Sequence, residues 1–189
     1  MFFAIIFVYC GRHNYEQPVI DPKNKLDVDP CGEFYDDECF MRDYGMGTNH
    51  DPAKAQQISL SNAKDNLRQH MAEYVQGLTK TYSYQTSESI KTVDNIYDKV
   101  ENKMDAKIDD ILNRARKICQ KREKDYRGIW VYYTAIEIPV NDFKNNIIQQ
   151  MGSLSNEEKR IIDFDEQKFS QEMDKEYSKM VHRKKRMRY

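Results

Sequence analysis

The chain has 189 residues, 39% hydrophobic and 32% charged, with 30 basic and 31 acidic residues giving a formal net charge of −1. That length holds one domain and an appendage, and a mean hydropathy of −0.89 excludes a polytopic membrane protein. Seven glycines and five prolines exclude collagen-like and low-complexity architectures, and the near-zero charge supplies no global field toward nucleic acid, so no nucleic-acid partner is expected.

Met1 to Tyr9 carries no charge. The run is far shorter than the ~20 residues a membrane-crossing helix needs, but it fits the apolar core of a secretory signal. Cys10 follows at once, and an apolar run ending at a cysteine is the pattern of a bacterial lipoprotein signal, whose thiol receives the lipid. Residues 1–10 are therefore read as a lipoprotein-type signal segment, shortened at its front because no Lys or Arg precedes the apolar run. The alternative is a buried N-terminal strand. Residues 11–30 read as an acidic tether interrupted by Pro18, Pro22 and Pro30. From Gly11 to Asp51 there are ten acidic residues against four basic ones.

The four cysteines are Cys10, Cys31, Cys39 and Cys119. With Cys10 lipidated, three remain, so one disulfide and one spare thiol are expected in an exported protein. No Cys-x-x-Cys pair occurs and the four histidines lie far apart, so no metal site is expected.

Residues 31–151 are expected to form an α+β domain. A strand is predicted between Phe34 and Tyr44, ahead of a turn at Gly45-Met-Gly47. Asp51-Pro52 is a helix start, with an acidic cap and proline at the first helical position. Ala53, Leu60, Ala63, Leu67, Met71, Tyr74 and Leu78 then recur at helical spacing, and this helix is expected to end near Gly77 or soon after. After a polar stretch, Lys80 to Ser89, a second stripe runs Ile90, Val93, Tyr97, Val100, Met104, Ile108 and Ile111, ending near Arg114. The two long helices are predicted antiparallel, with their apolar faces against a sheet. Ala115–Lys124 and Ile129–Ile138 are predicted strands joined by the turn Asp125-Tyr-Arg-Gly128. The second is apolar on both faces, as a central strand should be. Together this is a small antiparallel sheet of about three strands packed on two long helices.

Asn141–Met151 is predicted to be a short helix. Residues 152–189 are read as a C-terminal amphipathic helix opened by the capping box Ser155-Asn-Glu-Glu158. Its stripe is Ile161, Ile162, Phe169, Met173, Tyr177 and Met180, for which packing along the domain is the default. It ends in a basic tail with five fixed charges, Arg183, Lys184, Lys185, Arg186 and Arg188. An acidic front and a basic tail suggest self-complementary packing or a surface contact, against the plainer reading of a solvated chain end.

The landmarks Pro30-Cys31, Phe40-Met-Arg42, Gly45-Met-Gly47, the helix with Ala53, Ala55, Asn62, Ala63 and Asn66, then Ile118-Cys-Gln120, Val131 to Glu137 and Lys159 to Phe169 follow one another in a characteristic order. In this order the chain resembles the twenty-kilodalton envelope lipoprotein family in its Bacteroidota-type branch, over roughly residues 30–180. The resemblance implies an outer-membrane lipoprotein held by lipid on Cys10, with a small sheet flanked by helices. It also implies a Cys31–Cys119 disulfide that leaves Cys39 free. It carries over no catalytic residues.

Other chemistry is weakly signalled. Gly45-Met-Gly47 lacks the third glycine of a dinucleotide fingerprint and is read as structural. Asp36-Asp37-Glu38 lacks calcium-loop spacing and is read as a solvated acidic loop. Trp130, Tyr132 and Tyr133 beside Lys121-Arg122 would suit stacking on nucleotides or sugars, but burial in the core is favoured. The expected function is thus a non-enzymatic structural or interaction module with no cofactor, anchored in the envelope membrane and with an envelope protein as candidate partner. The alternative is a binding module for an anionic lipid or polymer through the basic C-terminal helix.

Overall fold

The computed structural model describes residues 30–83 and 90–186, leaving aside the side chains of 79–83, 90–93, 97, 101, 105, 106 and 183–186. The signal segment 1–10, nearly all of the tether and part of the polar stretch after the first helix lie outside the described residues. In chain order the elements are β1 Phe40–Asn49, α1 Pro52–Ser83, α2 Ile90–Asn113, β2 Arg116–Lys124, β3 Trp130–Pro139, α3 Val140–Gly152, α4 Asn156–Ile161 and α5 Glu166–Arg186. The fold is α+β, with an antiparallel three-stranded sheet in the order β1-β3-β2.

The central place of β3 follows from its composition. Residues 131–138 are buried on both faces, as only a strand with neighbours on both edges and cover on both sides can be. The hairpin into it closes through Asp125, whose carboxylate accepts from the N–H groups of Arg127 and Ile129, both at 2.9 Å. Gly128 adopts φ +79°, where glycine costs nothing.

β1 departs from the expectation. It begins at Phe40 and runs through Gly45 and Gly47 to Asn49, so the glycines lie inside a strand rather than in a turn. Their role is close approach. A Cβ on Gly45 would sit 2.3 Å from the Ala63 nitrogen, and one on Gly47 would sit 2.4 Å from the Ala55 oxygen. α1 therefore lies directly on β1, with the small residues Ala55, Ser59 and Ala63 facing the sheet. Asp51 caps it, accepting from the Ala53 N–H at 2.8 Å. Ala53 and Leu60, expected in the core stripe, are exposed instead, because the helix face laid on the sheet is that of Ala55, Ser59 and Ala63.

Beyond the sheet α1 continues past Gly77 to Ser83, and Leu67, Met71, Tyr74, Val75 and Leu78 enter an all-helical core. Only α1 of the two long helices rests on the sheet. α2 packs mainly on α1 and α3, through Val100, Met104, Ile108 and Ile111. Phe143, Ile147 and Met151 of α3 complete this layer with Phe169, Met173 and Tyr177 of α5, so α5 belongs to the domain core. The capping box at Ser155 is present, but it opens the six-residue α4 rather than the long helix. The chain then turns through Asp163, at φ +47°, and starts again with α5.

Candidate functional site

Two features stand out: a buried ion network that fixes the front of the domain, and an exposed basic hairpin edge. The first is centred on Arg42 of β1. Its Nε donates to Glu137 Oε2 at 2.8 Å, and its Nη1 donates to Asp37 Oδ2 and to the Tyr35 carbonyl, both at 2.6 Å. The second Glu137 oxygen accepts from Arg116 Nε at 2.9 Å. Arg42 and Glu137 oppose one another in the β1–β3 register, and Arg116 opposes Glu137 from β2. One salt-bridged row thus crosses all three strands.

Asp36 lies beneath this row, 4% exposed, and accepts from the Arg42 backbone N–H at 2.7 Å. Its other oxygen is 3.4 Å from His70 Nε2 on α1, and Asp43 stands 3.9 Å from the opposite ring nitrogen. Tyr177 of α5 donates to the carbonyls of Asp37 and Phe40 at 2.9 and 3.1 Å. The solvated acidic loop expected at Asp36-Asp37-Glu38 is therefore a correction: Asp36 is buried, and Asp37 is held by Arg42. Only Glu38 of the three is exposed.

Charge placement accounts for the titration of these groups. Burial alone would raise the Asp37 pKa. The Arg42 hydrogen bond and charge, with the N–H groups of Cys39 and Phe40, outweigh it and hold the carboxyl below its ordinary 3.8. Burial pushes the Tyr74 and Tyr177 hydroxyls far above the ordinary phenol range, reinforced by Asp174 and Glu176 for the former and by Asp36 and Asp37 for the latter.

The sheet's second face is closed by residues before β1. Cys31 and Cys119 form a disulfide, with Cα atoms 5.8 Å apart and a sequence separation of 88. Around it gather Phe34, Tyr44, Ile118, Val131, Tyr133 and Ala135. Cys39, left free by the resemblance, is also disulfide-bonded, and no described cysteine is a free thiol. Its partner is neither Cys31 nor Cys119, which bond each other. Cys10 lies outside the described residues.

The basic edge is β2 with its hairpin. Residues 114–127 hold seven basic side chains and two acidic ones. Both acids are engaged: Glu123 accepts from the Tyr133 hydroxyl at 3.0 Å and Asp125 pairs with Arg127 at 3.0 Å. Tyr132 and Tyr133 are buried, whereas Trp130 is half-buried with Lys124 Nζ 4.5 Å and Arg122 5.7 Å from its ring. Tyr126 at the tip is 95% exposed, with Arg127 5.3 Å from its ring. Of the basic tail, Arg183, Lys184, Lys185 and Arg186 fall in the last turns of α5, and Arg188 lies outside the described residues.

Arg42 and Glu137 enter the sequence reading only as landmarks of the resemblance, and neither they nor His70 and Arg116 are given a role there. A signal did exist for Glu137, a charge between two isoleucines in an otherwise apolar strand. Its partner Arg42 lies 95 residues away and carries no local mark.

Among the described residues no group of three or more His, Cys, Asp or Glu side chains is placed to hold a metal ion, and no helix is long and apolar enough to cross a membrane. No family model, no curated protein and no solved structure matches this chain.

Proposed function

We propose that this chain is a non-enzymatic structural or interaction module of the cell envelope. The observation that carries the reading is the Cys31–Cys119 disulfide, because such bonds persist in oxidising compartments and are rare in reducing ones. The ion network supports it, since Arg42, Glu137 and Asp37 are spent on one another in joining the strands. The resemblance to the twenty-kilodalton lipoproteins adds an outer-membrane location, a lipid anchor on Cys10 and an envelope protein as partner. A sulfur in a disulfide cannot also carry a lipid thioether. Cys39 is bonded, and Cys10 is the only other cysteine in the sequence besides the Cys31–Cys119 pair. The anchor therefore requires Cys39 to be reduced or joined to another molecule.

The test is fractionation of cells expressing the chain from its own upstream DNA, with mass spectrometry of the N-terminal peptide. Recovery in the envelope fraction is expected, and a lipid mass on Cys10 completes the proposal. A Cys10–Cys39 linked peptide keeps the oxidising compartment and removes the anchor. An unmodified Met1 in the soluble cytoplasmic fraction, with free thiols, overturns the reading.

A second reading, attachment to an anionic lipid or polymer, is favoured by the basic run Arg183 to Arg186, which falls within α5. Val181 is part of the core, so its test is deletion from Arg183 onward. Anionic-surface binding that survives the deletion rejects it.

A further inference from the structure

The two edges of the sheet are treated differently. At β1, α1 packs close, and its Asn62 and Asn66 side chains donate to the carbonyls of Met46 and Tyr44 at 2.7 and 2.8 Å. Part of that edge is thus occupied from within the molecule. At the other edge β2 pairs with β3, and among the described residues with no other strand. Its residues 121–124 are exposed. A regular ladder edge presents a row of backbone donors and acceptors on which a further strand can pair.

Charge decides which strand fits. Arg122 and Lys124 project on one face of this segment, while on the other Lys121 pairs with Glu33 at 3.6 Å and Glu123 accepts from the Tyr133 hydroxyl. A second copy of β2 would set lysine and arginine against lysine and arginine, which disfavours pairing. The register shift between Lys117 and Cys119 also breaks the edge at its far end. What remains is Gln120 to Lys124, flanked by the half-buried Trp130 ring.

We propose that this segment is a docking edge for an extended acidic peptide of a partner protein, added as a fourth strand beside β2. Backbone hydrogen bonds would supply the pairing, and carboxylates on alternate residues, which share one face of a strand, would meet Arg122 and Lys124 on the same face of β2. The inference rests on the interaction-module reading and names the chemistry of the partner. Binding in solution does not depend on cellular location, so failure here leaves the fractionation result standing, and the converse holds.

The probe is a labelled peptide alternating glutamate and valine, titrated by fluorescence anisotropy against the full chain with its disulfides intact. A control peptide of equal charge carries proline at alternate positions and cannot pair as a strand. The alternating peptide is expected to bind at least about tenfold more tightly than the proline control. Its affinity should fall by a similar factor in the Lys121→Glu, Arg122→Glu, Lys124→Glu variant, whose side chains are exposed and whose folding is checked by circular dichroism. A conservative variant with glutamine at the three positions should fall in between. Equal binding of both peptides, or equal displacement by a sulfated polysaccharide at matched charge, would show charge attraction without strand addition and overturn the proposal. Absence of binding, or self-association abolished by the same variant, would overturn it as well.

Discussion

At Gly47 the sheet meets helix backbone so closely that a hydrogen fits and a methyl group does not. The two nearest atoms in the way, the Ala55 oxygen and the Ser59 nitrogen, belong to the α1 main chain, which cannot turn aside as a flexible side chain would. Gly47→Ala is therefore expected to cost about 3 kcal/mol in urea unfolding, in the range of overpacked cores. Gly152→Ala, with nothing within 4 Å of the added carbon, should be neutral or slightly stabilising. Equal effects at both sites would refute the close-packing account. Asp37 makes a different demand, on pH. Its pKa is lowered in the fold, so its contribution is present above the ordinary carboxylate range and is lost as pH falls through the lowered value. The urea midpoint should drop on acidification below about pH 4, and Asp37→Asn should flatten that drop. Glu158, taken from 4.5 to about 2 by Lys99 and then by Ser155, adds to the same acid limb. An Asp37→Asn profile parallel to the parent's would mean the Arg42 contact contributes nothing.

Between elements, stability is concentrated where residues 31–37 fold back over the sheet. The disulfide closes a loop of 88 residues, which in the chain-entropy account is worth about 4–5 kcal/mol. The Cys31→Ala, Cys119→Ala pair should lose stability of that order in denaturant titration, and a loss below about 1 kcal/mol would show that the ion network holds the segment unaided. How well each element was legible follows from the range of its determinants. The α1 start, the Asp125–Gly128 hairpin, the apolar β3 and the capping box are set by neighbours a few residues apart, and all were readable. β1 was displaced because paired glycines look the same locally whether they turn the chain or admit a helix. The break between α4 and α5 was hidden because Ile161, Ile162 and Phe169 keep helical spacing across it, while Asp163 leaves the helix. The Arg42–Glu137–Arg116 row depends on strand register, which no local pattern encodes.

On the scale of the whole molecule, α1 is the spine. Its first half lies on the sheet, its second half enters the helical core, and α5 returns to bond the loop before β1 through Tyr177. The chain's charge is nearly balanced overall, yet it is sorted into a buried network and an exposed basic edge. That sorting was only half visible, since the sequence displays the cations of β2 plainly but not which sheet edge they would line. The disulfide that closes the front of the domain depends on an oxidising environment. The most direct measurement is a non-reducing peptide map of the chain isolated from its host, with thiols alkylated before lysis. The account predicts a peptide pair linked through Cys31 and Cys119 in nearly all molecules. Recovery of both cysteines as alkylated thiols would contradict it.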